Sequence, residues 1–227
     1  MNEHLAIPIV ECGEPLVDIR GGTALLYGPP PECPQTAPDY CLVRREVYRR
    51  LLRVQAALPR GLRLRLYEGL RSLAVQGLLF EQESARIAAR EPELDAQQVH
   101  EQAAVLVSPP VHWDGLANTP PHSTGGAVDI ELVDRSGALL DFGMQAADWH
   151  RVPAPFCETL SPLPGPAARA NRLLLAAAME REGFANYTRE WWHYSYGDRY
   201  WAARTGQPQA IYGSCTPAMI GAASPVR

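Results

Sequence analysis

The spacing of apolar residues along this 227-residue chain predicts where its helices lie. From Arg44 to Leu58, apolar side chains recur at helical spacing and arginines fill the other face, which predicts a surface helix that ends before Pro59. Residues 72–90 and 95–107 carry good helix formers and show no two-residue alternation. We therefore expect two further helices there, separated near Pro92.

Two segments alternate apolar with charged residues, which is the pattern of a strand with one face on the core. The first segment is 62–67. The second is 127–133, where the apolar residues face the core while Asp129 and Glu131 face the opposite way. Residues 134–140 favour a hairpin turn and a short return after the second strand.

The C-terminal half combines a loop, a helix and an aromatic run. The proline-rich loop 153–166 precedes a helix from about Ala168 to Glu182, and Gly183 is expected to cap that helix in a left-handed conformation. The run Phe184–Tyr196 has the composition of a strand.

Together these elements predict a single α+β domain over residues 1–227, with a small, mainly antiparallel sheet flanked by helices. The length is within what one hydrophobic core supports. Residues 1–42 are rich in proline and are expected to form an N-terminal arm wrapped on the surface. Residues 214–227 are expected to form a C-terminal tail.

Charge and composition exclude several classes of partner. The formal net charge is -4, and the 21 basic residues are scattered apart from a short cluster from Arg44 to Arg53 that fits the exposed face of a helix. A nucleic-acid partner therefore has little support. No apolar run approaches about 18 residues, and we expect no membrane span. The N-terminus lacks the basic start and the long apolar stretch of a secretory signal, so we expect the protein in the cytoplasm.

The five cysteines are widely spaced and include no Cys-x-x-Cys pair. This number and spacing favour reduced thiols and exclude a cysteine-rich structural zinc site. Metal chemistry would therefore have to come from histidines and acidic residues.

Two short segments, 121–129 and 189–193, carry the residues for such a site. A catalytic zinc ion typically takes three side-chain ligands from His, Asp and Glu and keeps a fourth position open for water. His122, Asp129 and His193 would supply this set, with one zinc ion per chain. Two glycines between His122 and Asp129 allow a tight turn that folds the first residue back beside the second.

Glu190 is the candidate catalytic base. A carboxylate that is near the metal without ligating it can accept the proton of water and pass it to the leaving amine. Glu190 and His193 are an odd number of residues apart, so this segment must bend or bulge to bring both side chains to one site. Arg71, just past the strand 62–67, is placed to stabilise the negative oxygen of a tetrahedral intermediate.

The motif His122-x6-Asp129, together with Glu190-Trp-Trp-His193, resembles the VanX-type D-alanyl-D-alanine dipeptidases. These are zinc peptidases, and their relatives include D,D-carboxypeptidases and D,D-endopeptidases of the cell wall. The resemblance implies the same fold, a single zinc ion and a small peptide as substrate.

Further segments carry the same resemblance, which runs from about Ile7 to Gly213. The opening Tyr67-x-Gly69-x-Arg71 is similar to that of the family, and it makes Arg71 the match for the family's transition-state arginine. The other similar segments are 171–175, Met179-x3-Gly183-Phe184, Ser195–Asp198 and Trp201-Ala202.

The chain departs from the family pattern in two places. Pro120 stands where many members have a serine, and the segment 142–148 replaces the family's Met-Gly-Thr-Pro-Phe-Asp. Both regions are near where such enzymes hold the substrate. A zwitterionic dipeptide needs an acid to bind its free amine, and Asp148 is our candidate for that substrate-binding role.

Three functions stay open at this point. The first is hydrolysis of D-alanyl-D-alanine or a similar small dipeptide. The second is a broader metallopeptidase or D,D-carboxypeptidase that acts on longer cell-wall peptides, and the third is a non-catalytic zinc-binding module that captures peptides. Glu190 argues against the third function, because a purely structural metal site has no use for a base.

Individual residues also have simpler interpretations. Glu190 could form an ion pair with Arg189 or Arg199, and Arg71 could be a solvated charge at a strand end. Another metal site around His112–Asp114 and His150 lacks a matching partner segment, and we favour ordinary loop roles for those residues.

Overall fold

The computed structural model describes residues 3–31 and 33–219, whose strands and helices form a mixed α+β fold. The strands are β1 (Leu16–Asp18), β2 (Leu26–Tyr27), β3 (Leu42–Arg44), β4 (Arg63–Glu68), β5 (Ala127–Val133), β6 (Ala185–Asn186) and β7 (His193–Ser195). The helices are α1 (Arg45–Ala57), α2 (Leu73–Arg90), α3 (Ala96–Ala103), α4 (Ala154–Cys157), α5 (Pro166–Arg181) and α6 (Arg199–Thr205).

The main sheet has five strands in the order β2-β4-β5-β7-β6. Strand β2 pairs parallel with β4, and the other neighbours are antiparallel. Strands β1 and β3 form a separate antiparallel pair. The predicted α+β class with a small, mainly antiparallel sheet is confirmed.

The four predicted helices are present, one of them shorter than expected, and the structure adds the short helices α4 and α6, which the sequence patterns do not predict. Ser72 caps the first turn of α2, and Asp95 forms a capping box with Gln98 at the start of α3. Helix α3 ends at Ala103 rather than near Val107, because the chain continues in tighter turns toward two consecutive prolines. Gly183 follows α5 with φ of 81°, as expected of a left-handed cap.

The N-terminal arm, residues 1–42, is more than a wrapping on the surface. Its strand β2 forms an edge of the main sheet, and Leu16, Ile19 and Leu25 are buried. The short strands escape prediction from sequence because two or three residues cannot establish a periodicity. At the other end, Cys215 donates its backbone N–H to the carbonyl of Ser123 at 2.8 Å, whereas residues 220–227 of the predicted tail lie outside the described residues.

Strand β5 is the central element of the fold. It is buried along its whole length, on the face of Val128, Ile130 and Leu132 and also on the opposite face. On that second face Glu131 forms an ion pair with Arg65 at 2.6 Å, and Asp129 is directed to the candidate site. The alternation therefore separates the hydrophobic core from a buried polar layer.

The aromatic run 184–196 is not one strand. Only Ala185–Asn186 and His193–Ser195 pair in the sheet, and the chain turns between them, which agrees with the expected bend. Among the described residues, no helix is long and apolar enough to cross a membrane.

The close approach of β5 and β7 depends on Gly126. A β-carbon at this position would lie 2.3 Å from the backbone oxygen of Tyr196. We predict that Gly126→Ala lowers the free energy of unfolding by about 1–3 kcal/mol, as overpacking of a close contact does. The control is Gly21→Ala, because a β-carbon at Gly21 would meet nothing within 4 Å beyond its chain neighbours, and this residue has no positive φ. Equal stability of the two variants in urea denaturation would contradict this view.

Candidate metal centre and catalytic site

His122 is held in one orientation by its loop. It lies in the 3-10 turn Pro121–Thr124, which ends at Gly125 with φ of 67°. Its Nδ1 lies 2.8 Å from the carbonyl oxygen of Gly69. Because a carbonyl only accepts, Nδ1 carries the proton and Nε2 presents its lone pair to the site.

Asp129 and His193 are brought together by strand register. They are directly opposite each other in the antiparallel pair of β5 and β7, and both are buried. Their separation in the sequence, 64 positions, is therefore closed by the sheet itself.

Three ligand atoms converge at this point. His122 Nε2 lies 3.1 Å from His193 Nδ1, and Asp129 Oδ1 lies 3.1 Å from His193 Nδ1 and 3.4 Å from His122 Nε2. Atoms that ligate one tetrahedral ion at about 2.0–2.1 Å are about 3.3–3.4 Å apart, so the spacing fits. Asp129 Oδ1 is buried and accepts no hydrogen bond of standard geometry from the described residues. The arrangement fits a cation.

The electrostatics of the three residues favour the same conclusion. Burial raises the pKa of Asp129, but the two histidines outweigh burial and hold this pKa well below its usual value. Burial lowers the pKa of His193, so both groups are in the ionisation state that binds a metal. For His122, burial lowers the pKa, but the charge of Asp129 prevails and raises it. A bound cation would take the place of that proton.

Glu190 lies beside this cluster without being part of it. Its Oε2 is 3.7 Å from His193 Nδ1, and its side chain is buried in the turn that leads into β7. A buried carboxylate next to the ligand atoms is placed for proton transfer.

Arg71 is fixed by two partners. Its Nε donates to Glu68 Oε1 at 3.0 Å, Nη2 donates to Glu68 Oε2, and Nη1 donates to Gln76 Oε1 at 3.0 Å. Glu68 is fully buried, and it stands opposite Asp129 in the register of the antiparallel strands β4 and β5. The guanidinium group is therefore a pre-oriented cation. The sequence motifs do not identify Glu68 as a functional residue. Its position three residues before Arg71 is the signal that could have indicated this ion pair.

These residues share one cavity of about 1250 Å³. His122, Asp129, His193, Glu190 and Arg71 all line it. The end of α3 and the loop that follows it also contribute to the lining, as do Tyr67, Trp149 and Tyr187. The structure thus brings these five residues together at one cavity, and their individual roles stay predictions.

Asp148 is not brought to this group. It lies in the 3-10 turn Ala146–Arg151, forms an ion pair with Arg151 at 3.0 Å, and is absent from the described residues that line the cavity. Its neighbour Trp149 lines the cavity instead, because successive side chains of this turn point in different directions. Binding of the substrate amine by Asp148 stays a prediction.

His112, Trp113 and Asp114 also line the cavity. They do not form a metal-binding group: among the described residues, His122, Asp129 and His193 are the one set of three or more whose ligand atoms lie within 4.8 Å of one another. The structure gives no support to another metal site at this loop.

Comparison with known proteins decides the family. The sequence profile of the peptidase family described as D-ala-D-ala dipeptidase matches residues 35–210, which include all five residues of the site. The chain belongs to this dipeptidase family. It is therefore a metallopeptidase, and the resemblance noted in the sequence is confirmed.

Two curated relatives of this family illustrate the similarity. The chain is 29% identical to the D-alanyl-D-alanine dipeptidase of Synechocystis sp. (strain ATCC 27184 / PCC 6803 / Kazusa) over 230 aligned positions, which cover 91% of this chain and 92% of the relative. It is 40% identical to the D-alanyl-D-alanine dipeptidase of Escherichia coli (strain K12) over 73 positions, or 32% and 36% of the two chains.

Among solved structures, a mutant of the vancomycin-resistance D,D-pentapeptidase VanY in complex with Zn(II) aligns with a TM-score of 0.43. The identity is 19%, and the alignment covers 75% of this chain and 80% of that chain.

The three-ligand geometry predicts one strong metal site per chain. His122→Ala removes one of three ligands and should abolish tight binding of Zn²⁺, measured by titration against a chromophoric chelator. His112→Ala is the matched control, because His112 lines the same cavity but lies outside the ligand cluster. Unchanged affinity in His122→Ala would exclude His122 as a ligand.

Proposed function

We propose that this chain hydrolyses D-alanyl-D-alanine, or a similarly small dipeptide, with one zinc ion held by His122, Asp129 and His193. The observation that carries the proposal is the convergence of three ligand atoms 3.1–3.4 Å apart next to a buried carboxylate and a fixed guanidinium group in one cavity. Two nitrogen ligands and one carboxylate are a donor set typical of catalytic zinc. The relatives named as D-alanyl-D-alanine dipeptidases support the substrate.

The proposed reaction divides the work among the residues of the site. When bound, zinc supplies a Lewis acid that lowers the pKa of its water to about 7. Glu190 accepts the proton of the attacking water and gives it to the nitrogen of the leaving D-amino acid. Arg71 donates hydrogen bonds to the oxygen that becomes negative, and Glu68 keeps the guanidinium group in place.

Burial strengthens each of these interactions. Glu190 and His193 are each only 7% exposed, so little water screens their charges. Arg71 is paired with a carboxylate that is fully buried, and this pairing holds the guanidinium in one position before the substrate binds. Such preorganisation avoids reorganisation at the moment of reaction.

The size of the cavity favours a second candidate function. Its volume of about 1250 Å³ exceeds the range of about 300–1,000 Å³ typical of small-molecule pockets. The cavity, whose lining includes residues 104–109, 112–114 and 116–119, has room for a substrate longer than a dipeptide. A D,D-carboxypeptidase activity on longer cell-wall peptides is therefore the alternative.

The role of Glu190 is tested by Glu190→Gln. This variant should bind zinc as the wild type does, and kcat for D-alanyl-D-alanine should fall by about 10²-fold or more because proton transfer fails. Glu101→Gln is the control, since Glu101 lines the same cavity but is absent from the metal-binding group. A loss of zinc in Glu190→Gln would make Glu190 a ligand instead of the base.

The length of the substrate is tested with D-alanyl-D-alanine, its N-acetylated form and tripeptides that end in D-alanyl-D-alanine. A dipeptidase holds the free amine with an acid, so acetylation leaves that acid unpaired and should abolish turnover. If Asp148 is that acid, Asp148→Asn should raise KM for the free dipeptide, whereas an unchanged KM would remove it from the site. Efficient hydrolysis of the blocked or longer peptides would establish the carboxypeptidase alternative.

A further inference from the structure

The spacing of Glu190 and His193 is set by a turn that lies between β6 and β7. The backbone N–H of His193 donates to the carbonyl of Glu190 at 3.3 Å, which makes these residues the first and last of a four-residue turn. This geometry places the Glu190 carboxylate 3.7 Å from the His193 ring, although the two residues are an odd number of positions apart. The relation between base and ligand thus depends on the shape of one turn.

The side chain of Asn186 spans this turn. Its Nδ2 donates to the carbonyl oxygen of Glu190 at 3.1 Å and to the carbonyl oxygen of His193 at 3.0 Å. The Oδ1 atom accepts from the hydroxyl of Thr159 at 2.6 Å. Two carbonyl oxygens cannot donate, so they fix which end of the amide faces the turn.

Asn186 is itself held rigidly. It is only 5% exposed, and its position in β6 pairs it with Tyr194 of β7. The hydroxyl of Tyr200 donates to its backbone carbonyl at 3.0 Å. All hydrogen bonds that the structure shows for this side chain are made with the turn or with Thr159. The amide is buried, so it does not contact the substrate directly.

From this geometry we propose that Asn186 is a positioning residue, which holds the backbone of the base and the backbone of a metal ligand at a fixed separation. The inference rests on the proposed function for the roles of Glu190 and His193. Through its two donors, the amide sets both the distance of the carboxylate from the metal and the direction of the His193 ring. Residues that orient metal ligands from outside are typically worth about 10–100-fold in metal affinity or activity.

The test compares Asn186→Asp with Thr159→Val. Asn186→Asp keeps the shape of the side chain but turns an acceptor toward two carbonyl oxygens, whereas Thr159→Val keeps both donors of Asn186. We expect Asn186→Asp to weaken zinc binding by about 10–100-fold in chelator competition. At saturating zinc, kcat should fall by at least about 10-fold with KM within about 3-fold. Thr159→Val should stay within about 3-fold of the wild type in each quantity.

A double-mutant cycle separates positioning from general destabilisation. In the Glu190→Gln background, Asn186→Asp should lower kcat by no more than about 3-fold, because the base that it positions is already lost. If Asn186→Asp does not fold, Asn186→Ser takes its place, since one hydroxyl donor cannot hold both carbonyl oxygens. Wild-type zinc affinity and kcat in the folded variant would overturn the proposal. Wild-type zinc affinity together with a kcat loss that adds fully to that of Glu190→Gln would also overturn it.

The two readouts distinguish this inference from the proposed function. Zinc affinity is measured without any peptide, so a weakened site in Asn186→Asp supports the positioning of His193 even if the wild type leaves D-alanyl-D-alanine intact. If the wild type hydrolyses D-alanyl-D-alanine and Asn186→Asp has unchanged zinc affinity and kcat, the inference is wrong while the proposed function stands.

Discussion

The antiparallel pairing of β5 with β7 is the interaction on which the site depends. It sets Asp129 opposite His193 in the middle of the molecule, where a carboxylate is stable only with a compensating partner. His122 reaches the same point from the turn that precedes β5. Gly126 lets the two strands approach closely, so the strand pairing that forms the sheet also brings the metal ligands together.

Two further buried acids lie near Asp129 and His193. Strand β4 contributes Glu68, whose fully buried carboxylate orients Arg71, and the turn before β7 contributes Glu190. The two buried acids are costly to bury without a compensating positive charge, which the partly buried Arg71 supplies to Glu68. We therefore expect a divalent ion bound at the three-residue centre to stabilise the folded chain as well as prepare it for chemistry.

Most of the helices, the central strand and the metal-ligand candidates could be predicted from the sequence, because their sequence patterns are local. Helical periodicity, the alternation in 127–133 and the motif residues His122 and His193 each fall within a few neighbouring positions. The arm 1–42 was predicted incompletely, since the strand β2 consists of two residues and gains its meaning from pairing with β4. A periodic pattern cannot reveal a strand that short.

Other features could not be predicted because they depend on the path of the folded backbone, which residue types alone do not reveal. Asp148 fits the need for an acid, but its position is decided by the turn in which it sits and by Arg151. The role of Asn186 depends on a hydroxyl 27 positions earlier and on two carbonyl groups. Backbone carbonyls leave no trace in residue types, so no motif could have indicated this network.

The central claim is that hydrolysis of a small D,D-dipeptide requires one metal ion at the three-residue centre. The most direct measurement is the rate of D-alanyl-D-alanine hydrolysis while metal-depleted protein is titrated with zinc. We predict negligible activity without metal, a rise in proportion to added zinc and a plateau at one equivalent per chain. Full activity in the metal-free protein would contradict the account.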